Sequence, residues 1–387
     1  MAPLRVVITG GAGQIAYSLI PLIARGLVFG PDVKVHLRLL DIPPAANALA
    51  GVAMEVQDSL FSTALEGVLA TTNDVEAFTG AQVAILLGGF PRRPGMERWD
   101  LIGKNAGIMK RMGELLETYA SPNCKVVVVA NPAQTNCYIL SIYAPSLPRK
   151  NITSLSRLDH DRMIGMLLHE ANSRLISASA ANGTECVRRL TAADVRGACV
   201  WGNHSNSQVP DVSAVEFFVD GRWVPIESVI PDTTWLGLAN SLPGGGSIGG
   251  GAEGQSLVEA VRKRGAAVLG ARKLSSAMSA ANAIAEHLSD WLSPEKSEHS
   301  PAVSMGVTTD GNPFGVSEGI FSSLPVRCTL GGDWNYDEGF SLNDDVRRHL
   351  EASVAELEDE KATALKMLEK AEAAAGSVTG LVPRPSL

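Results

Sequence analysis

Apolar and polar positions alternate in blocks that read as strand, turn and helix over residues 4–130. Leu4 to Ile8 is a short apolar run closed by glycines, and the segment after it is amphipathic with a helical period to Gly26. Lys34 to Leu40 (K-V-H-L-R-L-L) predicts a second strand, Ala45 to Leu60 a helix, and the stretch near Gly67 to Thr72 a third strand. A helical turn starts at Asp74, an apolar strand Val83 to Leu87 ends in Gly88-Gly89, and a helix spans Trp99 to Thr118. Lys125 to Ala130 (K-V-V-V-V-A) has no polar alternation, the pattern of a parallel strand buried on both faces. Such a succession predicts an α/β fold: a right-handed, doubly wound parallel sheet of Rossmann type. Ligands of these sheets sit beyond the strand C-termini. The informative residues are therefore Gly10 to Gly13, Asp41, Gly88-Gly89 and Asn131-Pro132.

The second half changes character. Val215 to Val224 carries Asp220-Gly221, a two-residue hairpin signal between β-rich arms. Helical patterns dominate Glu253 to Trp291, and a strand is expected near Val303 to Val307. Asn343-Asp344 caps a long amphipathic helix whose apolar positions Val346, Leu350, Val354, Leu357, Leu365 and Leu368 keep one face. Leu175 to Arg189 and the glycine-rich Pro243 to Gly254 read as insertions or loops, and about Ala373 to Leu387 as an aperiodic, mobile tail. A chain of 387 residues is more than one typical domain. We divide it into a first unit (1–155), a second, α+β unit (156–372) and the tail (373–387).

Composition narrows the class. With 45% hydrophobic and 19% charged residues and a net charge of −8, the chain has ample core-forming residues and no basic, aromatic-studded stripe for nucleic acid. An anionic substrate would need locally concentrated arginines. The five cysteines are scattered without a C-x-x-C, as expected of buried thiols in a reducing compartment. A strand begins almost at once, so no signal peptide is expected. No apolar run reaches the roughly 18 residues needed to span a bilayer, and the final Pro-Ser-Leu is not the S-K-L address. These features favour the cytosol.

Gly11-Ala12-Gly13-Gln14-Ile15-Ala16 fits G-x-G-x-x-A between a strand and a helix. Glycines let backbone N–H groups approach a pyrophosphate, the helix N-terminus adds favourable partial charge, and the last small residue permits close helix–strand packing. A plain tight turn would use the same letters, so the next strand supplies the check. It ends at Asp41, somewhat beyond the roughly 20-residue spacing of the fingerprint, and the Gly26-to-Pro31 loop absorbs the excess. A carboxylate there would accept from the adenosine ribose diol and repel a 2′-phosphate. NAD(H) rather than NADP(H) is the expected cofactor.

Four further stretches carry candidate chemistry. Phe90 to Asp100 (F-P-R-R-P-G-M-E-R-W-D) is either a solvated basic loop or a lid that brings arginines over an anion. Asn131-Pro132 is either a turn or an amide aimed at a ligand. In R-L-D-H-D-R, Asp159 and Arg162 share a helix face, whether as a surface ion pair or as part of a site. In W-G-N-H-S, His204 is a loop histidine; joined to a carboxylate it would become a general acid/base, although spacing alone does not join it to Asp159.

These strings, with T-G-G-A-G-Q-I-A-Y-S-L, L-L-D-I, N-P-A-Q-T-N-C, R-G-A-A-V-L-G-A-R-K-L-S-S-A-M-S-A-A and S-M-G-V-T-T-D-G-N, resemble the cytosolic-type malate dehydrogenases of the lactate/malate dehydrogenase superfamily over nearly the whole chain. The resemblance implies His204 as proton donor and acceptor with Asp159 as its partner. It implies Arg162 as a bidentate clamp on the substrate C1 carboxylate, Arg98 polarising the reacting carbonyl, and Arg92 binding the distal carboxylate of oxaloacetate or malate. Asn131 and Ser276 would line the site. Gly10, Gly11, Gly13, Gln14, Ile15, Asp41, Gly88, Asn105 and Asn131 would contact NAD. The resemblance also implies a homodimer. The chain departs from the family pattern in the longer Arg162-to-His204 interval, the extra glycine-rich stretch, the extended tail, and Gln134 where Asn is usual. A broader 2-hydroxy acid dehydrogenase is the alternative, and Arg92 argues against it. A short-chain reductase would need Y-x-x-x-K, and no tyrosine has Lys four positions on. A metalloenzyme is not expected, because His169-Glu170 lacks the second histidine of H-E-x-x-H. A non-enzymatic nucleotide sensor would be expected to have lost this site set.

Overall fold

The computed structural model describes residues 2–90, 98–183, 188–231, 235–237, 255–293 and 301–378. The first half alternates β1 (Leu4–Thr9), α1 (Gln14–Ala24), β2 (Val35–Leu40), α2 (Ala46–Asp58), β3 (Leu65–Thr71), α3 (Asp74–Phe78), β4 (Val83–Leu86), α4 (Arg98–Tyr119), β5 (Lys125–Val128), α5 (Ala133–Tyr143) and β6 (Ile152–Ser154). Its six strands pair in parallel in the order β3-β2-β1-β4-β5-β6, so the order reverses beside β1, the place where sheets of this kind bind ligands. Alternate strand residues face opposite layers. Val6 and Ile8 pack with Leu19 and Ile23, whereas Val7 packs with Met109, Leu115 and Leu140. Both faces are dry, which is why β5 reads as unbroken valine.

The second half is α6 (Arg157–Ala181), β7 (Val195–Arg196), β8 (Cys199–Trp201), β9 (Val209–Asp211), β10 (Glu216–Val219), β11 (Arg222–Pro225), α7 (Leu257–Arg272), α8 (Met278–Leu292), β12 (Val303–Thr308), β13 (Phe321–Thr329), β14 (Asp333–Tyr336) and α9 (Asp344–Val378). Strands β12, β13 and β14 add antiparallel to the β6 edge, so one nine-stranded sheet crosses both halves. The expected hairpin at Asp220-Gly221 is the β10–β11 turn. Two expectations are corrected. Leu175 to Ala181 is not loop but the last turns of α6, and α9 continues to Val378, past the point where apolar periodicity fades. The Pro243-to-Gly254 stretch lies outside the described residues. Among the described residues no helix is long and apolar enough to cross a membrane.

Candidate active site

The residues singled out at strand ends meet on one edge of the sheet. After β1, Gly10 turns with φ +69°, and Gly13, exposed at the rim, is the N-cap of α1. A Cβ on Gly11 would lie 2.9 Å from that of Leu39, and one on Gly13 would lie 3.0 Å from the Gly10 carbonyl oxygen. Only glycine lets this turn lie flat on β2 and start the helix, with Gln14 and Ile15 opening α1. Asp41 closes the next strand against the same turn: one carboxylate oxygen accepts from the Ala12 N–H at 2.9 Å and the other from Ile42 N–H at 2.8 Å. Gly88 donates its N–H to Thr9 Oγ1 at 3.0 Å, and a Cβ on Gly89 would meet Ala130 at 2.9 Å. These close approaches form a cradle that fits a dinucleotide phosphate. Asn105 is fully buried; its side chain accepts from Phe90 N–H at 2.7 Å and donates to the Asn131 carbonyl at 3.0 Å. It braces the loops after β4 and β5. Asn131 itself is exposed on the edge.

β6 delivers the chain into α6, whose first turn carries a buried Asp159. A carboxylate is favoured there by the helix dipole. One oxygen of Asp159 accepts from the Arg162 guanidinium at 2.8 Å, and the other is bonded to Nδ1 of His204. Arg162 also donates to Ser276 Oγ at 3.3 Å. The histidine arrives from elsewhere: β8 and β9 form a hairpin, and His204 sits on its connecting loop, the side chain 24% exposed. Trp201, fully buried and edge-on to Phe314, anchors the base of that hairpin, with its indole N–H donating to Asp211 at 3.0 Å. Gln134, the departure from the family pattern, accepts from His204 N–H at 3.3 Å and donates to the Gly202 carbonyl at 3.5 Å.

The two titrating partners reinforce each other. The Asp159 charge pulls the His204 imidazole above its ordinary value, against burial and the Arg162 charge, which lower it. Burial would raise the Asp159 carboxyl, but His204 first and Arg162 second outweigh it and hold it below the usual range. The result is an anchored imidazole, able to exchange a proton at Nε2, beside a guanidinium fork whose geometry suits a carboxylate. Arg92 lies outside the described residues. So does the side chain of Arg98, whose backbone opens α4. Sequence reading noted Gln134 only as a departure within N-P-A-Q and missed its contact with His204, and it missed the polar face of α9, which follows no motif.

Residues 4–153 match the family model described as lactate/malate dehydrogenase, NAD binding domain, and residues 251–368 match lactate/malate dehydrogenase, alpha/beta C-terminal domain. The chain is 42% identical over 369 residues to a Zea mays protein named malate dehydrogenase, cytoplasmic, covering 95% of this chain and 99% of that one. It is similar to the crystal structure of malate dehydrogenase from Naegleria fowleri, with TM-score 0.79 and 38% identity over 95% of this chain and 99% of that one. It is also similar to Trichomonas vaginalis lactate dehydrogenase in complex with NADH and oxamate, with TM-score 0.79 and 32% identity over 95% and 99% of the two chains.

Proposed function

This chain belongs to the lactate/malate dehydrogenase family, and from that premise we infer that its site interconverts L-malate and oxaloacetate with NAD+/NADH in the cytoplasm. One observation carries the assignment of residues: a single buried carboxylate, Asp159, joins a proton carrier, His204, to a carboxylate clamp, Arg162. We assign 1–155 to cofactor binding and 156–372 to substrate binding and catalysis. When bound, the dinucleotide supplies the nicotinamide that takes or gives the substrate's C2 hydride. In malate oxidation, neutral His204 takes the C2 hydroxyl proton at Nε2 while Nδ1–H remains donated to Asp159. The imidazolium so formed is stabilised by that carboxylate, and in oxaloacetate reduction it returns the proton. Arg162 holds the C1 carboxylate, Arg98 polarises the C2 oxygen, Arg92 pairs with the distal carboxylate, and Asn131 and Ser276 line the pocket. Asp41 receives the ribose hydroxyls. Gly10, Gly11, Gly13, Gln14, Ile15 and Gly88 face the rest of the dinucleotide, with Asn105 behind them.

A pyruvate-like or aromatic substrate would leave Arg92 without a partner, which is costly in a dry site. A homodimer belongs to the same reading; the exposed Tyr17 and Met54 on α1 and α2 supply apolar surface for it, and light scattering would give the mass. Steady-state oxidation of NADH with oxaloacetate, pyruvate and phenylpyruvate tests the substrate. Oxaloacetate should lead in kcat/KM by on the order of 10⁴-fold, since a site built for a polar group rejects analogues lacking it. Comparable turnover of pyruvate would overturn the assignment.

A further inference from the structure

The loop holding His204 is tied on both flanks to the C-terminal helix. Ser353, Glu356 and Glu360 lie three and four residues apart along α9 and so share a face. Ser353 and Glu360 are buried, where a surface helix ordinarily places apolar side chains. Hydrogen bonds from this face reach the His204 loop and the start of α5. Ser353 Oγ accepts from Asn203 N–H at 2.8 Å. The Asn203 amide donates to Glu356 at 3.2 Å and to Glu360 at 3.1 Å. Beyond the histidine, the hydroxyls of Ser205, at 2.5 Å, and Ser207 both donate to Glu356. The second oxygen of Glu360 accepts from Thr135 Oγ1 at 2.5 Å, at the start of α5, close to Asn131. Desolvating a carboxylate is unfavourable unless hydrogen bonds replace water, so a 3%-exposed glutamate here marks a built polar contact.

We propose that Glu356 and Glu360 are positioning residues for His204, fixing the backbone on either side of the imidazole while Asp159 fixes the ring. This rests on reading His204 as the proton carrier. Asp159 alone sets one ring atom, and a ring hinged on a loose backbone could keep that bond while Nε2 swings away from the substrate oxygen. Displacement of a reacting group by about 1 Å can cost 10²-fold in rate. The test uses the full-length enzyme with NADH and oxaloacetate. Glu356→Ala should lower kcat about tenfold or more with KM changed less than about twofold, and Glu356→Gln, which keeps an acceptor, should recover most of it. Ser205→Ala should lower kcat in the same sense, and its effect should vanish in the Glu356→Ala background. If Glu356→Ala does not fold, Ser205→Ala decides alone. A lower kcat at unchanged KM supports the proposal, and an unchanged kcat overturns it. A Glu356→Ala enzyme with kcat within about twofold of wild type, or additive effects of the two changes, also overturns it. Absence of turnover by the wild type would remove the functional reading and this inference together, whereas normal wild-type turnover with unaffected variants removes this inference alone.

Discussion

At the scale of single residues, the proposed chemistry rests on the contact of Asp159 with His204. The Asp159 charge is the largest cause raising the imidazole, so its pH profile should report the contact. Malate oxidation needs the neutral ring, and its kcat/KM should rise with pH through a value above the ordinary 6.5. Oxaloacetate reduction needs the imidazolium and should fall over the same range. Asp159→Asn removes the raising charge and leaves burial, which lowers the imidazole. Both midpoints should therefore move to lower pH, with a loss of about 10²- to 10⁴-fold in rate. A profile with unmoved midpoints would contradict the assignment. Asp41→Gly should cost NADH about 10- to 100-fold in kcat/KM, because a hydrogen bond to a charged group contributes about 1.5–3 kcal/mol. NADPH use should rise as the repulsion of a 2′-phosphate is lifted; kinetics with both cofactors check this. Asp41 was legible because a strand end and a glycine turn fix its place. The Asp159–His204 contact was not, since it spans two elements with no spacing rule between them, and only family resemblance joined them.

At the scale of elements, segments with a clear apolar run, stripe or turn signal were legible, down to the four-residue β4 and β5, whereas others were not, among them the nine-residue β13. The apolar stripe of α9 is plain in Val346, Leu350, Val354 and Leu357, all buried. Strands β6, β8 and β9 are three residues each, too short for alternation to register, and they exist because the sheet and the Trp201 hairpin accept them. The inward polar face of α9 also defeats a binary pattern, since glutamates on a helix read as solvent-facing. Close helix contacts are likewise invisible until the structure is known. A Cβ on Gly113 of α4 would meet the Leu140 carbonyl oxygen and the Tyr143 Cβ of α5, both at 2.8 Å. Alanine gains up to about 1 kcal/mol in a helix over glycine, but overpacking costs about 1–3 kcal/mol, so Gly113→Ala should be net destabilising. Gly107, exposed on the same helix with nothing within 4 Å of a Cβ, isolates the first effect. Gly107→Ala should stabilise by about 0.5–1 kcal/mol. Urea unfolding of the two variants compares them directly; changes of the same sign would refute the packing argument.

At the scale of the whole molecule, the active site straddles a seam. Asp159 follows β6, the last parallel strand, whereas the His204 hairpin is tied to β13 through the Gly202–Ser323 bridge. Between them runs β12, which joins β6 through the pairing of Gly306 with Ser154. A Cβ on Gly306 would lie 3.0 Å from the Ser154 Cβ, 3.1 Å from its carbonyl oxygen and 1.7 Å from its hydroxyl. The hydroxyl can rotate away, but the backbone oxygen cannot, so Gly306→Ala must push the two halves of the sheet apart. Overpacking of this kind costs about 1–3 kcal/mol, and calorimetry should show a lowered midpoint. Turnover should suffer as well, because the shift separates the carboxylate from the imidazole while leaving the dinucleotide edge on β1, β2 and β4 intact. The expected signature is a fall in kcat with unaltered NADH affinity, eased in part by Ser154→Ala, which clears the hydroxyl. A Gly306→Ala enzyme with wild-type kcat and melting would mean that the seam does not transmit strain to the site.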